Sequence, residues 1–432
     1  MIKWLINRKS GYVLSKLWSS VEQAALLSLP DKDNNTDKGD TMHINLADRT
    51  PECGRGRATL MLCHFVGMVD LVALPVWVGV LAQHYGFDLE HAGMIVTAFL
   101  LGAVGASLVA APLFNRVPRT WLAAGGYGAA ALAFLCAAQF TGFAALAALH
   151  LVAGLATGTA LSIAHGTIGR STNPHRLFAM AGTALGIGAV VFYATVPPAV
   201  SAYGGATLFK VFAGLMALAA LACVFGFPHV GSQARERTKA APLPRAAWFA
   251  ILGVASMALN QALTFSMLDR IGIARGFGQD RVNGLLVVVG LVNLFPAAVA
   301  ALLQRRLDPV RVALVAAPLQ AALALTVTLS GEFLPYAMAG AVYPAVLIFT
   351  HTFLFGLIAR LDPSGRALAS TPAMMMTGSA IGPALAGSIS MHAGFAGQAA
   401  LALGVGLAAT LFFTLVARRA GARPAVIVPT QH

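Results

Sequence analysis

Apolar residues in this chain come in blocks of about 20, and that feature restricts the fold more than any other. A helical block of that length, rising 1.5 Å per residue, crosses the ~30 Å hydrocarbon core of a bilayer. Twelve such spans can be marked, at about 59–82, 92–114, 120–139, 142–168, 177–198, 206–228, 246–268, 282–303, 312–330, 333–359, 367–391 and 396–417. They are numbered 1 to 12 in chain order. Short loops join them, so sequence neighbours must run antiparallel. The chain of 432 residues is 58% hydrophobic and only 10% charged, too apolar for a single soluble core.

The formal charge of +13 would suit a nucleic-acid partner, but its distribution argues against one. Basic residues collect in alternate loops, as the orientation rule for membrane insertion requires. With the N-terminus in the cytoplasm, Arg116/Arg119, Arg170/Arg176, Arg235–Arg245, Arg305/Arg306/Arg311, Arg360/Arg366 and Arg418/Arg419/Arg423 lie inside. The opposite loops hold few, the exception being Asp269–Arg281 with Arg270, Arg275 and Arg281. Both termini are therefore expected in the cytoplasm. Cys53, Cys63, Cys136 and Cys223 have neither disulfide nor metal-ligand spacing and read as small packing residues.

Residues 1–58 form an extension of a different kind. Met1–Leu29 carries Lys3, Arg8, Lys9 and Lys16 among scattered apolar residues and suits a surface amphipathic helix; no signal-peptide core follows it. Asp31–Asp40 has a disordered composition, and Met42 is an equally good start. Residues 229–245 read as a polar cytoplasmic linker and 419–432 as a tail.

The two sides of that linker repeat. Arg116 and Arg306, Arg170 and Arg360, and Arg176 and Arg366 are each separated by 190 positions (306 − 116 = 360 − 170 = 366 − 176 = 190). The same offset aligns Gly86-Phe87 with Gly276-Phe277 and Gly204-x-Ala206 with Gly394-x-Ala396. The expected fold is an all-α membrane protein of twelve transmembrane helices in two pseudo-symmetric six-helix bundles, 59–228 and 246–418.

Asp70 is the residue such a fold must explain. It lies mid-span, where an acid costs roughly 2.5–3.5 kcal/mol on insertion scales and marks an ion or substrate pathway more often than it serves structure alone. An acid so placed can load and release a proton. Its repeat partner is Asn260 (260 − 70 = 190), followed by Gln261. Trp77 is seven residues further on and shares the face of Asp70. His150, Gly154, Gly158 and His165 form one stripe on span 4, where glycines permit close packing and histidines can titrate. His64 and His351 are similar. Tyr193, Tyr336 and Tyr343 suit a cavity wall or an interfacial belt. Gly378–Pro383 reads as a flexible, close-packed face of span 11, and Met374–Met376 as packing.

The loop between spans 2 and 3 reads APLFNRVPRT at 111–120. It resembles the G-x-L-A-D-R-x-G-R-R signature of the major facilitator superfamily, over a membrane domain of about residues 59–418. Arg116 and Arg119 match the basic positions, whereas Asn115 replaces the usual acid and Pro118 a glycine. The resemblance implies a gating loop at Asn115, Arg116 and Arg119, with Arg306 as repeat partner. It also implies that His150 stands where proton-driven exporters of the superfamily usually carry Arg. The glycines of span 5 lack the adjoining proline expected of such exporters.

No P-loop, HExxH or GxSxG occurs, so the chain has no enzymatic module of those kinds, and its energy should come from an ion gradient. The expectation is a secondary transporter working by alternating access, proton-coupled, leaning to uptake of a small organic acid or similar metabolite. Proton-driven efflux and a solute sensor without flux are the alternatives. The expected coupling residues are Asp70 and His150; the expected solute contacts are Asp70, Trp77, Asn260, Gln261, His351 and Tyr343. No cofactor or metal is implied. The partners would be a small solute, protons and the bilayer, with no nucleic acid, and the protein a monomer of a bacterial inner membrane.

Overall fold

The computed structural model describes residues 50–114, 117–230, 243–304, 306–361 and 371–420. Asn115, Arg116, Arg305, Arg366, the first 49 residues, the linker from 231 to 242 and the tail from 421 fall outside them. The described residues are helical with short turns and contain no strand. Among the described residues, eleven helical stretches are long and apolar enough to cross a membrane. The last, Met375–Arg419, has 45 residues and leaves helical geometry at Gly394 (φ 64°, ψ −173°), so it covers two crossings. The arrangement is consistent with twelve spans.

Several spans are broken helices. Span 1 comprises Gly54–Gly67 and Val69–His84, and span 7 comprises Arg245–Phe265 and Leu268–Ala274. Span 8 is Gln279–Val292 followed by Pro296–Leu303; span 11 is Thr371–Ala380 and then the helix from Gly382. The others are single: Leu89–Leu113, Arg119–Ala137, Phe143–Ile168, Pro174–Tyr203, Ala206–Gly226, Pro309–Leu329 and Phe333–Leu361. Two boundaries differ from those read in the sequence. Span 1 starts at Gly54, inside the supposed extension, because Cys53 caps it by accepting from Gly56 N–H at 3.2 Å. Span 7 runs on to Ala274, so Arg270 is helical and not in a loop.

The 190-residue offset is a structural symmetry. Helix starts at 89 and 279, 119 and 309, and 143 and 333 keep it (279 − 89 = 309 − 119 = 333 − 143 = 190). Gly86 and Gly276 both turn with positive φ (72° and 75°), as do Gly204 and Gly394 (87° and 64°), a region glycine enters without the Cβ penalty. Phe87 meets Phe143 edge-on at 6.2 Å, and their equivalents Phe277 and Phe333 do the same at 5.6 Å.

Within the first half, span 4 packs on spans 2 and 3, and span 3 on span 6; in the second, span 9 packs on spans 10 and 12. Between the halves, span 2 meets span 11, span 5 meets span 8 and span 1 meets span 7. The outer surface is apolar, with Leu108, Val109 and Leu132 exposed, and Trp121 and Tyr203 stand near opposite ends of their spans, as at the two interfaces of a bilayer. The end carrying the linker is called the linker face, the other the far face. At the far face Asp88 caps span 2, accepting from His91 N–H at 2.8 Å; that bond holds its carboxyl below the usual carboxylate range. Two basic residues of the 269–281 segment, Arg275 and Arg281, are locally employed there. Arg275 donates to Thr328 O at 2.9 Å, at the carboxyl end of span 9, and Arg281 lies over Phe333.

Candidate transport site

Asp70 sits in the second residue of the helix that restarts span 1 after the break at Met68. The break leaves a helix amino terminus in the middle of the span, and a carboxyl group there complements the exposed N–H groups and the helix dipole. The residue is 2% exposed, and its Oδ1 has no hydrogen-bond partner among the described residues. Tyrosines brace the break on both sides: Tyr127 donates to Cys63 O at 2.6 Å and Tyr193 to Val72 O at 2.6 Å.

Trp77 and His150 come together, but inside the core of the first half. Trp77 Nε1–H donates to His150 Nε2 at 3.2 Å, and His150 Nδ1 bonds Leu146 O at 2.7 Å, which makes Nδ1 the protonated nitrogen. Both residues are 1% exposed or less and packed among Phe99, Phe134, Phe209 and Phe212. Every polar atom of the pair is satisfied, which leaves neither side chain free to hold a solute.

Asn260 is likewise turned into its own half. Its amide donates to Ala402 O of span 12 at 3.1 Å, and Tyr343 of span 10 donates to Asn260 O at 2.6 Å. Gln261 accepts from Gln320 of span 9 at 3.3 Å. The pseudo-symmetric match with Asp70 holds in sequence, yet these bonds aim the side chains of Asn260 and Gln261 at spans 9, 10 and 12. His351 is half-buried, bonded to Leu347 O at 3.0 Å and set beside Phe355. Replacing Tyr343 by Phe is expected to cost about 1 kcal/mol of stability, one typical hydrogen bond, and to leave transport intact. Thermal unfolding in detergent together with solute binding checks this. Lost affinity at unchanged stability would return Tyr343 to the solute site.

On the linker face a groove of about 510 Å³ opens between spans 1 and 5, lined by Gly54, Arg57, Met61, Phe65, Met180 and Ala184, among others. Among the described residues, Arg57 is the one charged group lining it. His64 lies on the same helical stripe as Arg57 and Met61. Its Nδ1 is 2.9 Å from Nε2 of His165 on span 4, and Phe178 of span 5 meets both rings edge-on. With both rings neutral, one of the two outer nitrogens is a donor and the other an acceptor. Such a pair can hold a carboxylic acid group at either end or pass a proton along its length. Of the residues expected to gate, Arg306 is exposed, and Arg119 lies over the Phe114 ring at 5.0 Å with Nη1 buried and partnerless among the described residues. The Asn115 and Arg116 positions lie outside the described residues.

The far face is closed. Gly93 lies against Pro383, Gly387 against Leu89, and Ala384 N–H donates to Thr97 Oγ1 at 3.1 Å. Gly290 lies against Val190 and Gly186 against Leu294 nearer the midplane. The glycines of span 11 thus serve close approach. A second buried acid stands in this seam. Asp269 is 4% exposed and accepts from Gln279 at 2.8 Å. The sequence hid it at the edge of an apolar block, where it read as the start of a loop.

A family model described as Major Facilitator Superfamily matches residues 60–362. The chain belongs to the major facilitator superfamily. It is a membrane transporter and not an enzyme. Its fold resembles that of the nucleoside transporter NupG, with a TM-score of 0.63 at 15% identity, covering 86% of this chain and 100% of that one. A point mutant of NupG is similar at a TM-score of 0.62 and 15% identity, covering 83% and 99%. A bacterial homologue of the human lysosomal transporter Spinster, solved in an inward-facing and occupied conformation, gives 0.65 at 14% identity, covering 85% and 97%. At these identities the likeness is one of fold. No protein of curated function matches the sequence.

Proposed function

We propose that this transporter takes up a small organic acid together with protons, across a bacterial inner membrane, with both termini in the cytoplasm. The observation that carries the proposal is Asp70: a buried carboxyl group at a helix break in the middle of span 1, with one oxygen left without a partner among the described residues. A group so placed gains little as a structural contact and much as a proton carrier, since it can change charge when water reaches it. The groove on the linker face supports an acidic solute. Arg57 supplies a permanent positive charge and Met61, Phe65 and Met180 an apolar wall, while the His64–His165 pair stands outside the lining, farther along the same stripe of span 1.

With the linker face placed in the cytoplasm, the closed far face corresponds to an inward-facing state. The solute would then leave through the groove after crossing near Asp70. The loop residues Arg119 and Arg306, with Asn115 and Arg116, would act on the rate of exchange between states. The protein works as a monomer in this reading. The test is counterflow in proteoliposomes with organic acids, aromatics, amino acids, sugars and cationic drugs. Exchange of an organic acid supports the reading; exchange of a cationic drug alone favours efflux. No exchange of any solute would leave a sensor.

A further inference from the structure

Asp269 is a carboxyl group without a counter-ion at the place where the two halves meet. Its Oδ1 accepts from Gln279 Nε2 at 2.8 Å, and its Oδ2 has no partner among the described residues. Gly79 of span 1 closes over it so tightly that a methyl group there would lie 2.5 Å from Oδ2. Gln279 in turn donates to Asn283 Oδ1 at 3.1 Å and accepts from Gln83 of the other half at 3.2 Å. Asp269 is therefore the buried end of a chain, Asp269–Gln279–Gln83, that crosses the seam. Arg270, next to it in sequence, has Nε and Nη1 buried and partnerless, and among the described residues the two form no ion pair.

We propose that Asp269 is a second proton-binding site of the transporter, taking up a proton as the halves close over it at the far face and releasing it as they part. The physical reason is local. An ionised carboxylate held by one amide and sealed by the Gly79 backbone has lost its water, and Arg270, beyond ion-pair distance, offsets only part of that loss. The neutral acid carries no such penalty. When Gly79 withdraws and the Gln83–Gln279 bond breaks, water reaches Oδ2 and the ionised form becomes the favoured one. Closure and proton uptake are then one linked equilibrium. On the elements packed around Asp269, the charged and titratable groups toward the far face are Arg270 and Arg275 on its own helix, Tyr336 and Glu332 at the start of span 10, Asp280 and Arg281 at the start of span 8, and His84 at the end of span 1; Asp70 of span 1 and Tyr343 and His351 of span 10 lie farther along their helices. The inference uses only the transporter fold and this seam, so it stands or falls apart from the organic-acid reading.

Spin labels at Tyr203→Cys and Gly331→Cys, on the far ends of the two halves, report their separation in the full-length protein reconstituted in lipid. Between about pH 8 and about pH 5.5 the wild-type ratio of closed to open far face should rise several-fold, roughly threefold or more. Asp269→Asn should remain closed throughout that range. A wild-type separation indifferent to pH overturns the proposal without recourse to any variant. It is also overturned if Asp269→Asn keeps the pH response. Asp269→Ser provides a second neutral variant, and a retained response there is equally decisive against.

Discussion

Asp70→Asn is expected to insert and fold like the wild type, to retain solute counterflow and to lose accumulation driven by a pH gradient. Folding should survive because the substitution is nearly isosteric and Oδ1 has no partner to lose among the described residues. The expected structural cost is the interaction of a charged group with a helix amino terminus, about 2 kcal/mol at most for a buried group. Function should not survive, because Asn cannot change charge. One proton moved with each solute supports about tenfold accumulation per pH unit, and a permanently neutral side chain brings that ratio to one. Counterflow needs no net proton movement and continues. Full accumulation by Asp70→Asn would remove this carboxyl group from coupling.

Gly154→Leu should prevent folding. Spans 2 and 4 are pressed together along Gly154 and Gly158, and a methyl group on Gly154 would lie 2.7 Å from the carbonyl carbon of Phe99 and 2.9 Å from its Cα. These are backbone atoms of a neighbouring helix and cannot rotate aside. Gly102 makes the reciprocal approach, a methyl group there lying 2.9 Å from Leu155 N, and Ser107 Oγ donates to Gly158 O at 3.1 Å. Overpacking ordinarily costs 1–3 kcal/mol, and a whole isobutyl group against fixed backbone should exceed about 3 kcal/mol. Gly214→Leu, where nothing lies within 4 Å, is the control and should express normally. Folded yield after detergent extraction, read by size-exclusion chromatography, distinguishes them. Equal yields would mean that spans 2 and 4 are not held by this contact.

The features legible in the sequence were those with a local or periodic cause. Apolar length marked the spans, and the 190-residue offset marked turns that proved to share a left-handed glycine, Gly86 with Gly276 and Gly204 with Gly394. The direction of a side chain around its helix was not legible. Asn260 matches Asp70 in register, yet Tyr343 and Ala402 claim it for the core of the second half. Trp77 and His150 could be placed on faces, but only packing shows that those faces meet each other. His64 with His165 and Cys63 with Cys223 are pairings across 101 and 160 residues, for which no local pattern exists. Asp269 was missed for a different reason. Its charge and that of Arg270 ended the apolar block at 268, whereas tertiary burial carries the helix on to Ala274.

Proton-coupled uptake is tested most directly by reconstituting the full-length protein in liposomes and imposing a gradient of about one pH unit, acid on the far-face side. The organic acid identified by counterflow should then accumulate about tenfold, with stoichiometric proton entry, and both should collapse when the gradient is dissipated by a protonophore. Accumulation that is indifferent to the gradient, or solute entry without proton entry, would contradict coupling through a buried carboxyl group.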